Sequence, residues 1–263
     1  MRFAVLLVLS SAGVAVAQTP RPLPFTYLVD TQQEDGLEIE QYVDLVPTVA
    51  RDASGARVAY LATQLQTEIE YGLSDRLELG LYATVAPIAP GLTDLPETTV
   101  GNGSKQRLKY SFAAPGEWPI DVGLYGELEE NSSEFAIEAK VLLQRRFGQL
   151  RVAANLIAEM ELPWGTTTPE WILMPTVGVT VELTPRLHLG AEYWVHTHVP
   201  TGTEALSYND AFHHFVGPAA LLNCGRLWVS AGAYLRLDEI GRTVQPGELY
   251  GPFWFRTIIG VNL

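Results

Sequence analysis

The chain has a single cysteine, Cys224, so no intrachain disulfide can form. It reads as a small apolar turn residue rather than a redox centre. Basic residues are scarce as well: 17 Lys and Arg stand against 30 Asp and Glu, a net charge of −13. That balance speaks against a nucleic-acid partner and bears little on fold. Long hydrophobic runs are also missing. Beyond the first residues nothing approaches the ~18 consecutive apolar residues of a spanning helix, although 47% of the chain is hydrophobic. The apolar residues must be distributed in another way. No P-loop, GxSxG or HExxH occurs. The nearest approach to a nucleophile arrangement, Ser207 with His213, is a weak pair. No catalytic residue and no cofactor is therefore assigned, and an enzyme is not expected.

The leader sets the expected compartment. Met1-Arg2 supplies one positive charge, Phe3 to Val14 is apolar, and Ala15-Val16-Ala17 before Gln18 is an A-x-A cleavage site. This is a secretory signal peptide with an apolar run too short to span. Gln18 in place of a cysteine argues against a lipoprotein. Cleavage near Ala17 removes Arg2, leaving 16 basic against 30 acidic residues and a charge of −14. About 246 residues remain, enough for one barrel without a separate plug domain. The expected division is 1–17 signal peptide, 18–36 N-terminal segment and 37–263 barrel. The second part, with Pro20, Pro22 and Pro24, reads as an extended stretch lying below the barrel or inside it.

The pattern that organises the rest runs from Ala62 to Val85. Thr63, Leu65, Thr67, Ile69, Tyr71 and Leu73 alternate with Gln64, Gln66, Glu68, Glu70 and Gly72. After Ser74-Asp75 come Leu77, Leu79, Leu81, Ala83 and Val85, set against Arg76, Glu78, Gly80, Tyr82 and Thr84. Period two is the signature of a strand, so this is a hairpin with one greasy and one charged face. Each arm is ~10 residues, the length of a tilted bilayer-crossing strand.

The same alternation begins at Leu37 and recurs to the end at Leu263, giving about twelve strands. Pro47 to Ala59, Pro87 to Gly103, Pro163 to Glu170, Thr197 to Ala211 and Leu237 to Leu249 read as long loops. The connections at Ser74-Asp75, Ala113–Glu117, Phe147–Gln149, Thr184-Pro185 and Asn223–Gly225 are short. Short periplasmic turns, longer external loops and an even strand number are the plan of an outer-membrane barrel. Pro175 and Pro218 interrupt the eighth and tenth strands, where a missing donor implies a bulge or misregister.

A soluble barrel with a greasy interior would share this alternation. Three features favour the inverted arrangement: nearly every strand carries the greasy face, glycines mix with bulky polar residues on the other, and aromatics fall near strand ends. Tyr71, Phe112, Trp118 and Phe147 would form one girdle, and Trp171, Phe253 and Phe255 the other. Closure is then obligatory, because an open edge in lipid leaves backbone groups unsatisfied. The expected fold is an all-β, transmembrane antiparallel up-and-down barrel in the outer membrane of a Gram-negative bacterium. Lipid, the barrel-assembly machinery and a small solute are its expected partners.

The inward face would carry Glu68, Glu70, Glu78, Lys105, Arg107, Lys109, Glu127, Glu129, Glu138 and Lys140. Opposite charges on adjacent strands form a structural ion-pair network or a selectivity lining, and the two can coexist. A hairpin centred near Ala205 would bring His196 and His198 beside His213 and His214 at the outer mouth, with Asp210 close by. Imidazoles with a carboxylate suit Zn or Cu; a polar or pH-sensitive mouth is the plainer reading. Channel, non-conducting binding barrel, and enzyme or metal binder thus stand as alternatives in that order.

The stretch Leu65 to Gly80, with Arg21-Pro22-Leu23 and Gly36 to Glu40, resembles a group of bacterial outer-membrane transporters named after the meta-cleavage pathway of phenol degradation. The resemblance implies a barrel of about twelve strands for uptake of small, often aromatic, compounds, and brings no catalytic residues. One departure is the C-terminus. Such barrels usually end in an aromatic residue read by the assembly machinery, whereas this chain ends in Leu263.

Overall fold

A computed structural model describes residues 20–86, 91–95, 102–200, 212–248 and 250–263. The signal peptide, Ser207 and Asp210 lie outside these residues. The strands are β1 Leu37–Arg51, β2 Arg57–Ser74, β3 Leu77–Val85, β4 Gly103–Ser111, β5 Asp121–Asn131, β6 Glu134–Phe147 and β7 Leu150–Pro163. They continue as β8 Glu170–Leu173, β9 Thr176–Thr184, β10 Leu187–Val199, β11 His213–Asn223, β12 Leu227–Arg236 and β13 Phe253–Asn262. Every neighbour pairs antiparallel, and β13 against β1 with β10 against β11 closes the ring. Both β8 and β9 lie between β7 and β10, so they are two halves of one wall position and the barrel has twelve.

Alternation decides which way each side chain points. Along β3, Glu78, Gly80, Tyr82 and Thr84 are buried, while Leu81 and Val85 are about half exposed. The same holds around the ring: Leu108, Leu124, Ile137, Val141, Leu156, Val177, Leu189 and Ile259 face out. Thus the greasy face is the outer surface and the charged face is the core, the reverse of a soluble barrel. Tyr71, Phe112, Trp118 and Phe147 are exposed at the short-turn end, with Phe112 and Trp118 stacked. Trp171, Phe253 and Phe255 are exposed at the other.

Tight turns use the expected chemistry. Phe147 pairs with Leu150 across Gly148-Gln149, and Gly148 takes a φ of +60° that a two-residue hairpin requires. Inward glycines let long side chains lie flat on the wall. A Cβ at Gly80 would run into the Arg107 stem, one at Gly232 into the Tyr234 ring, and one at Gly260 into the Trp228 indole.

Two expectations need correction. Pro47 to Ala59 is not a long loop: β1 and β2 stay paired through Arg51 and Arg57, and only five residues connect them. Pro47 is tolerated because its carbonyl side faces Gly251, beyond the last β13 pairing at Leu45 and Phe255, where no ladder donor is needed. Pro218 causes no misregister. The β10–β11 ladder runs unbroken through it, and β11–β12 keeps its register on either side of an unpaired Gly217-Pro218 step. At Pro175 the wall does break, between β8 and β9.

Residues 20–32 lie inside the barrel, and 33–36 lie at its short-turn end. They form no strand, yet Leu23, Thr26, Leu28, Val29 and Gln32 are buried. The segment enters at the short-turn end, where Asp35 N–H bonds Gly72 O and Glu34 N–H bonds Asp75 Oδ1. It rises to Phe25 and folds back to Arg21.

Candidate functional site

The lumen is the candidate site, and it is built in two layers. The first is a charged layer on the inner face of β1 to β6, running from Glu38 near the short turns to Lys105 and Glu129 at the loop ends of β4 and β5. Arg107 on β4 is at its centre, fully buried, with its guanidinium on Glu68 at 2.6 Å and also on Glu70 and Glu78. Its Nε donates to Tyr82 Oη at 2.8 Å. Lys109 reaches Glu78 at 3.0 Å. The register explains the set: Glu70 opposes Gly80, which opposes Arg107, so the absent side chain leaves room for the guanidinium to cross to β2. Lys105 holds Glu127 at 3.2 Å and Glu129 at 2.5 Å, and Lys140 holds Glu138 at 2.7 Å. All ten lumen residues named from the sequence therefore lie on the inner face, and each has an ion-pair partner within that set. In a water-poor interior such pairs interact far more strongly than at a surface, and a lone member would be costly.

The inserted segment completes this layer. Arg21 donates to Tyr42 Oη and lies 3.6 Å from Glu40, and the single hydroxyl proton of Tyr42 is shared between Glu40 at 2.5 Å and Glu68 at 2.7 Å. Gln32 gives its backbone N–H to Glu78 and its side-chain amide to Glu38 at 2.6 Å. Glu38 also accepts from Trp228 Nε1. Glu38, Glu40 and Glu70 bring carboxylate oxygens within 4.8 Å of one another. Donors from Gln32, Trp228, Tyr42, Arg21 and Arg107 already meet them. Asp30 pairs with Arg151 at 3.0 Å, and Val29 and Tyr27 N–H bond Gln144 and Asn155. The cavity left between Arg21, Tyr27, Glu38, Glu70 and Trp228 is about 20 Å³, room for one water.

The second is an aromatic layer centred on β10 to β13. Trp194, Phe215, Tyr234, Tyr250 and Trp254 form one buried cluster. Phe25, from the inserted segment, packs into it with ring centroids 4.4 Å from Trp194, stacked, and 5.0 and 5.6 Å from Tyr234 and Trp254, edge-on. The Arg256 guanidinium sits 3.9 Å over the same ring and is held by Asp44 at 2.7 and 2.8 Å. Glu192 Oε1 accepts the N–H of Phe25 at 3.0 Å and of Thr26 at 2.6 Å.

The hairpin register at the mouth is the one the histidine spacing implies, with His196 opposite His213. Only three of the four histidines share the inner face. His214 points outward, bonded to Tyr193 Oη at 2.7 Å and stacked with Tyr193 and Phe212, so it is removed from the proposed cluster. Period two forces this, since adjacent residues on a strand face opposite ways. His213 Nδ1 is engaged 2.9 Å from Asp238 and 2.8 Å from Arg236. His198 lies 3.6 Å from Glu170. Asp238 belongs to the turn Leu237–Glu239 outside the wall. Burial alone would raise its carboxyl, but bonds from His213 and the His214 N–H, with the Arg236 charge, hold it below the usual carboxylate range.

Sequence reasoning missed Glu38, Glu40, Glu192 and Asp44 as site residues, although their positions on the inward face follow the same alternation. Arg21, Phe25 and Gln32 had no such signal, because an extended segment without a period does not show which face meets the wall.

Neither a family model nor a curated protein matches the sequence. Among solved structures, an outer-membrane channel from Pseudomonas putida F1 superposes with a TM-score of 0.59 at 10% identity, over 89% of this chain and 98% of that one. The NanC porin gives 0.58 at 7% identity, over 86% of this chain and all of the other (100%). At such identities the likeness is one of fold, that of outer-membrane β-barrels.

Proposed function

We propose that the protein is an outer-membrane channel for passive passage of small solutes, and that residues 20–36 are the barrier that must shift for the lumen to conduct. One observation carries the reading. A twelve-position wall is wider than the eight-stranded barrels that side chains alone can fill, and here the remainder is filled by a segment with no strand pairing to the wall. Withdrawing that segment leaves every ladder intact and uncovers a charged, water-compatible lining. In this reading the short turns are periplasmic, the leader is removed near Ala17, and the inward charges act first as a structural network and then as a selectivity lining. Lipid surrounds the apolar band, and the assembly machinery inserts the barrel.

Planar-bilayer recording tests this on residues 18–263 and on the same chain lacking residues 20–35. Small or rare openings in the first and steady, severalfold larger ones in the second are expected. No conductance in either, with no solute flux into liposomes, would reject the channel and leave a non-conducting barrel.

A further inference from the structure

Phe25 occupies a cage whose other members are all wall residues. Trp194 covers one face of its ring and the Arg256 guanidinium the other, with Tyr234 and Trp254 edge-on around it. None of these needs Phe25 to hold its place. Asp44 fixes both Arg256 and Trp254 Nε1, Glu192 accepts from Tyr234 Oη, and Phe215 stacks on the far face of Trp194 at 3.9 Å. The cage is therefore organised before its occupant arrives, the condition under which binding loses least to ordering. Its occupant comes from a segment that can leave without disturbing the sheet.

Leaving has a consequence at the rim. Glu192 is almost fully buried and gives Oε1 to the N–H groups of Phe25 and Thr26. Without them a buried carboxylate oxygen loses both donors, and a replacement must bring one. Trp194 Nε1, also buried, has no hydrogen-bond partner among the described residues. In Phe25 the donor nitrogen is separated from the ring by Cβ and Cα, the connectivity of a 2-arylethylamine. An ammonium there would meet Glu192 with a charge-assisted bond stronger than an amide gives. The ring would keep its Trp194 stack and Arg256 contact.

We propose that this cage is a binding station for solutes with a 2-arylethylamine skeleton, and that Phe25 is the built-in occupant such a solute displaces. The assignment rests on the channel reading in naming a solute for that path, but the site itself is tested without conduction. Isothermal titration calorimetry on the folded, detergent-solubilised chain, wild type and Phe25→Ala, uses three probes: 2-phenylethylamine, 2-cyclohexylethylamine and toluene. Phe25→Ala should bind 2-phenylethylamine about tenfold more tightly than wild type does. It should also prefer that probe about tenfold over the cyclohexyl amine, which lacks the π face, and over toluene, which lacks the donor. Adding Glu192→Gln should abolish the preference over toluene while leaving the ring preference. Equal binding of the three probes by Phe25→Ala, or no gain over wild type, overturns the proposal. Should Phe25→Ala not fold, deletion of residues 20–26 vacates the same cage and is read by the same criteria. Probe selectivity without conductance would support the station and count against the channel.

Discussion

Replacing Arg107 by methionine is the perturbation that most directly weighs the charged layer. The substitution keeps an unbranched stem over Gly80, where a Cβ would already collide, and deletes only the guanidinium. Three carboxylates then lose their shared partner: Glu68 at 2.6 Å, Glu70 and Glu78. They are not equally stranded. Glu78 keeps Lys109 at 3.0 Å, Glu68 keeps the Tyr42 hydroxyl at 2.7 Å, and Glu70 keeps a 3.4 Å contact with Gln32. Removing one member of a buried ion pair costs about 3–5 kcal/mol, and the surviving partners place this case within that range rather than at a multiple of it. Urea titration of the folded barrel in micelles, followed by tryptophan fluorescence and by heat-modifiable gel mobility, gives the loss. In a cycle with Glu70→Gln, the double variant should recover about 1–3 kcal/mol, because the charge left behind by the first change is gone. A loss under about 1 kcal/mol with no coupling would mean that the cluster is solvated like a surface pair, and the packed-lumen account would be wrong.

Other expectations follow from single residues. Gly260→Val puts a branched side chain into the Trp228 indole, which is fixed by Glu38, and should abolish the heat-modifiable folded band; Ser230→Ala nearby should not. Leu156→Arg, at mid-strand on the outer face, should cost about 2–4 kcal/mol on folding into lipid vesicles, whereas Leu263→Arg at the chain end should cost little. Asp238 has a folded value below its unfolded 3.8, so its contribution is present above about pH 4 and lost as pH falls through the lowered value. Hydrogen exchange at the His214 amide, which Asp238 accepts at 2.9 Å, should accelerate on acidification below that point, and Asp238→Asn should remove the acid-induced step.

How much was legible in the sequence depended on whether a residue belonged to a period. Wherever apolar and polar residues alternate, face follows from parity, so the ten charged residues from Glu68 to Lys140 fall inside the wall by parity alone. Even the pairing of His196 with His213 follows from placing the hairpin centre near Ala205. Parity should also have separated His213 from His214. Loop ends were harder. Pro47 and the polar residues that follow it to Ala59 look like a loop, yet Pro47 is tolerated within a strand because it lies beyond the last β13 pairing, where no ladder donor is needed. The inserted segment was illegible for a different reason. Its bonds run from its own backbone to Glu192, Asn155, Gln144 and Glu78, residues 46 to 167 positions away, and no local pattern encodes such partners.

The central claim is directional: oily residues contact lipid, while the opposite face is packed against residues 20–36. Spin labels placed singly along β7 in vesicles, at 154, 156 and 158 and at 153, 155 and 157, test it directly by their collision rates with oxygen and with a water-soluble nickel chelate. The account predicts high oxygen and low nickel accessibility at the even positions and low values for both at the odd ones. Nickel accessibility at the even positions, or oxygen accessibility moved to the odd ones, would contradict it.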